Sequence, residues 1–71
     1  MKPTSEMGTQ EAACFVNLKK AMNDAMIVKE YLETARHLAP NDEIGGSITV
    51  AIREMNEAMF DIKSAVQSLT N

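Results

Sequence analysis

Tryptophan is missing from this chain, and tyrosine and phenylalanine together supply only three of its 71 residues. A core built on large aromatic rings is therefore excluded. The single cysteine, Cys14, rules out an internal disulfide and any zinc site that needs several thiolates. Two prolines and three glycines leave few places where a helix has to break. No apolar run approaches the ~20 residues that span a bilayer, and Met1 to Glu6 lacks the apolar centre of a signal peptide. No membrane contact and a cytoplasmic home are the expectation.

Positive charge is also scarce. The formal charge of −3 arises wholly from Pro40 onward, where Asp42, Glu43, Glu54, Glu57 and Asp61 outnumber Arg53 and Lys63, while Met1 to Ala39 balances at zero. Neither half has the basic footprint of a nucleic-acid binder, and the acid is too sparse to imitate a nucleic acid. A chain this short gains only about 3–5 kcal/mol from one small core, so it needs a staple. With disulfide and multi-cysteine zinc removed, oligomerisation is the remaining one.

What the sequence does have is helical periodicity. Residues 1–8 mix Pro, Thr, Ser and Gly without a period and read as a flexible tail. A helical pattern then covers about 9–39, with Thr9 as its expected N-cap and Glu11 in its first turn. Pro40 ends it, because the residue before proline avoids the α region. Asn41 or Asp42 can cap a second helix over about 42–70. So short a connection predicts an all-α, antiparallel two-helix hairpin. Gly45-Gly46 is its weak point, since each glycine costs ~1 kcal/mol relative to alanine inside a helix, and an irregular first turn is expected there.

Two unbroken 4-3-4-3 stripes run through these segments. The first holds Cys14, Leu18, Ala21, Ala25, Val28, Leu32, Ala35 and Ala39; the second holds Ile44, Ile48, Ala51, Met55, Ala58, Ile62, Ala65 and Leu69. Paired so that residue numbers total 83, they place large beside small in nearly every layer, with a narrow waist where Ala25 meets Ala58 among Met22, Met26, Met55 and Met59. Beside this seam lie Phe15, Met22, Ile52, Met59 and Val66, an apolar face that one hairpin cannot cover. They are the expected interface of a homodimer, a four-helix bundle.

No constellation reaches the standard of a catalytic or ligand site, so no cofactor, metal or catalytic residue is assigned. Paired methionines could hold Cu(I), a soft ion, but they equally fill the gap at the alanine waist. His37 suits a helix C-terminus, where a cation is favoured. Cys14 on the seam is expected to behave as a small hydrophobe without a neighbouring base. Gly45-Gly46-Ser47 lacks the Lys-Ser/Thr that completes a phosphate loop. Carboxylates such as Glu54, Glu57 and Asp61 form a solvated face, and Lys20–Asp24, Lys29–Glu33 and Arg53–Glu57 are spaced for surface ion pairs.

Four apolar residues are left for a partner protein: Met26, Ile27, Val50 and Phe60, with Phe60 the most informative because an aromatic between charged neighbours is a typical anchor. The expectation is a non-enzymatic, acidic interaction module that dimerises and regulates or inhibits another protein, a build used by small bacterial and phage regulators. Two alternatives stand beside it. One is a structural or chaperone-like subunit that forms a hetero-bundle with a partner helix; the other is a carrier of metal or small molecules on the methionine waist.

Overall fold

The computed structural model describes residues 8–70, so the tail expected over 1–8 lies, apart from Gly8, outside the described residues. Two helices of 29 residues each, α1 (Thr9–His37) and α2 (Asp42–Thr70), pack against one another as a helical hairpin. At 1.5 Å per residue each is roughly 43 Å long. Among the described residues there is no strand.

The helix ends follow local chemistry. Gly8, not Thr9, occupies the N-cap of α1; it has no side chain to cap with, and its carbonyl accepts from the Ala12 N–H at 2.9 Å. Arg36 and His37 stand in the last turn, where positive charge complements the helix dipole. Leu38 donates back to the Thr34 and Ala35 carbonyls, both at 3.2 Å, which satisfies carbonyls at the end of α1 before Pro40 turns the chain. Asn41 caps α2: its Oδ1 accepts from the Ile44 N–H at 2.9 Å, and Asp42 and Glu43 add acid to the first turn. Losing that cap in Asn41→Ala is expected to cost ~1 kcal/mol in chemical denaturation.

The irregular first turn expected at Gly45-Gly46 does not occur. The helix is continuous through both, with the Gly45 N–H bonded to the Asn41 carbonyl at 3.0 Å and the Thr49 hydroxyl donating to the Gly45 carbonyl at 2.9 Å. A capped start with four ladder-ready residues behind it outweighs the entropy of two glycines. A side chain at Gly45 would meet the Ala39 Cβ at 3.7 Å, whereas one at Gly46 would meet nothing within 4 Å. Gly46→Ala is therefore expected to raise stability by about 1 kcal/mol, read as an upward shift of the denaturation midpoint at unchanged slope.

The seam differs from the expected one, and the difference follows from side-chain size. Leu18, Ala25, Leu32, Ile48, Met55, Ile62 and Leu69 form a column shared by two possible stripes. On one side of it run the small residues Cys14, Ala21, Ala35, Ala58 and Ala65; on the other run Phe15, Met22, Ile52, Met59 and Val66. The structure closes on the second side. Ile52 is 7% exposed and Ala25 9%, Phe15, Met22, Met59 and Val66 are half-buried, and Cys14, Ala21, Ala35, Ala58 and Ala65 are exposed. Burying Phe, Ile, Met and Val removes far more apolar area from water than burying alanine, at about 25 cal/mol per Å².

The second stripe is interrupted by Lys29, which is why the unbroken small one looks the better seam in the sequence. A lysine can keep its methylenes on the seam and its charge in water. Lys29 is half-buried and its Nζ lies 4.0 Å from Glu33 Oε1, the ion pair that closes among the three spaced for it. Beside the turn, a side chain at Gly45 would sit 3.7 Å from the Ala39 Cβ, and farther along Met59 shares a depression with Met26 and Lys29. At the expected waist Ala25 is buried and Ala58 exposed, so the two do not share one layer of the seam.

Candidate interaction surfaces

The hairpin has little interior. Among the described residues only Ala25 and Ile52 are buried apolar side chains, and no large side chain is fully buried. Two helices can cover only the strip of each that faces the other, and α1 carries apolar residues almost all round, so much of its apolar surface has no cover.

In an antiparallel pair, the two columns beside the seam on one edge belong to equivalent positions of both helices. The edge next to the small column is continuous and carries no charge: Cys14, Ala21, Val28 and Ala35 from α1, with Ile44, Ala51, Ala58 and Ala65 from α2. Seven of the eight are exposed and Ala51 is half-buried. The opposite edge carries Lys19, Met26 and Glu33 beside Thr49, Asn56 and Lys63, and is polar apart from its methionine.

The five residues expected between two copies, Phe15, Met22, Ile52, Met59 and Val66, are thus placed in the seam of one hairpin. Of the residues expected in the seam, Leu18, Ala25, Leu32, Ile48, Met55, Ile62 and Leu69 stay in it, whereas Cys14, Ala21, Val28, Ala35, Ile44, Ala58 and Ala65 are exposed. Cys14, expected to be buried, is an exposed thiol.

Of the four residues assigned to a partner, the structure brings two to one side. Met26, 51% exposed, borders the polar edge and lines a shallow depression with Lys29, Glu30, Glu33 and Met59. Phe60, 68% exposed, stands on the outer part of that edge in a depression lined by Arg53, Asn56, Glu57 and Asp61. The spacing 53, 56, 57, 60, 61 puts these five on one face of α2. Met26 shares its depression with Met59, the chain neighbour of Phe60. Ile27 and Val50 are exposed as well, but on the outer faces of α1 and α2, pointing away from each other. Val16, Tyr31 and Leu38 are further exposed apolar side chains.

The arrangement offers little for chemistry. Cys14 and His37 lie on the same helix, roughly 35 Å apart along its axis. Among the described residues no three His, Cys, Asp or Glu side chains gather at metal-binding distances, and no helix is long and apolar enough to cross a membrane. The chain matches no family model, no curated protein and no solved structure.

Proposed function

We propose that the chain is a non-enzymatic interaction module, a dimer that binds another protein and regulates or inhibits it, in the cytoplasm. The observation that carries the reading is Phe60. An aromatic side chain 68% exposed, on the outer face of a helix whose inner face already packs Ile52 and Met59, contributes nothing to the hairpin's own core. Arg53, Glu57 and Asp61 surround it with two acids to one base. A partner surface with an apolar hollow and a basic rim complements that face in shape and charge. Met26, unbranched and half-exposed on the same side, can adjust to a second hollow nearby.

Affinity purification of the tagged full chain from its native cell, with mass spectrometry of what is retained, should give a partner in stoichiometric amount. Phe60→Ser is expected to weaken binding to that purified partner at least about 30-fold, the loss typical of an anchor worth 2 kcal/mol. Its unfolding free energy should stay within about 0.5 kcal/mol of the parent, as for other surface changes. Undiminished affinity in Phe60→Ser would remove the site assignment.

A further inference from the structure

The partner at Phe60 can be given a chemistry, and we infer that it presents a basic amphipathic helix, laid along the outer face of α2 against Gly46, Val50 and Phe60. The inference rests on the interaction reading above and names the kind of surface that the partner brings.

Spacing is the first argument. Gly46, Val50, Arg53, Glu57, Phe60 and Ser64 succeed one another at intervals of four and three, on the side of α2 away from Ile52 and Met59. All but Ser64 are exposed. Residues at such intervals form the seam that one helix offers to another, and from Gly46 to Phe60 this seam is roughly 21 Å long. Gly46 supports the reading independently. A Cβ there would meet nothing within 4 Å, so the hairpin makes no use of the glycine, although glycine inside a helix lowers stability. What the missing side chain does supply is room for another backbone to come close, one turn from Val50.

Charge is the second, and it says which helix. In α1 Glu11, Asp24, Glu30 and Glu33 balance Lys19, Lys20, Lys29 and Arg36, so the surplus belongs to α2, whose five acids and two bases are all exposed. Arg53 and Glu57 lie in the stripe, Glu54 and Asp61 flank it, and Lys63 stands farther round on the polar edge. Arg53 and Glu57 are spaced for an ion pair with each other but do not close one, unlike Lys29 and Glu33. Their charges face outward. A surplus of acid repels the phosphates of a nucleic acid or an anionic membrane, and it attracts a helix rich in lysine with an acid placed to meet Arg53. Such a helix would also cover Val50 and Phe60, 41% and 68% exposed in the hairpin.

Titration of the full chain with two synthetic peptides of about three heptads tests the assignment. Both carry leucine at the first and fourth places of each heptad, and lysine in one or glutamate in the other at the fifth and seventh. The lysine peptide should bind, more weakly as salt is raised from about 50 to 300 mM, and the glutamate peptide should not. Glu57→Lys combined with Asp61→Lys should weaken the lysine peptide at least about 10-fold, and Phe60→Ser about as much. Gly46→Leu is the sharpest variant. Its side chain meets nothing in the hairpin, so unfolding stability should hold or rise, while binding of the lysine peptide should fall at least about 10-fold. No binding of the lysine peptide, equal binding of the two peptides, or parent-like affinity in Gly46→Leu would overturn the inference. A partner purified with the chain that needs Phe60 but binds equally well at low and high salt would overturn the basic helix and leave the interaction module standing.

Discussion

Replacing Ile52 by alanine is expected to lower the unfolding free energy by about 2–5 kcal/mol at fixed protein concentration. Among the described residues Ile52 is the most buried large side chain, at 7% exposure. The loss is comparable to all that a small core contributes, so the circular dichroism of the variant at room temperature should be that of a largely unfolded chain. Val50→Ala, two residues away on the outer face, is the control. Its side chain is 41% exposed, and its effect should be a small fraction of a core truncation. Similar losses for both would mean that α2 is not held by the face described.

Ala25→Asp is expected to be at least as damaging. Ala25 is 9% exposed, so a carboxylate there gives up much of its hydration. Changes of this kind belong to the small class that exceeds about 4 kcal/mol. Ala13→Asp makes the same substitution on the exposed outer face of α1 and should cost under about 1 kcal/mol, through helix propensity alone. Urea unfolding of the two side by side separates the seam from the surface. A folded Ala25→Asp hairpin would contradict the packing.

Much of this architecture is legible in the sequence. Pro40 and Asn41 mark the turn because each acts through local backbone chemistry, and the periodicity fixes both helices to within about two residues. Two apolar faces are also legible, one more than a hairpin can bury. What the pattern of apolar against polar does not convey is which face is used within the chain. Lys29 breaks the stripe through Phe15 and Met22, and a binary pattern counts that as a defect. The folded chain weighs area instead, and takes the larger side chains while Lys29 reaches out to Glu33. The same choice of area over pattern buries Ala25 and leaves Ala58 exposed. Of the candidate partner site, Phe60 and Met26 could be seen as leftovers of the heptad, but their common side emerges only once the seam is rotated.

Large side chains close the hairpin on itself, while the dimer and the Phe60 partner are the proposals left to test. The most direct measurement is the thermal midpoint of the full chain over about a hundredfold range of protein concentration, because binding that stabilises only the folded state makes Tm depend on concentration. The proposed dimer predicts a Tm that climbs steadily with concentration. A sharp transition at one temperature across the whole range would contradict it, since the hairpin would then be stable as a single copy.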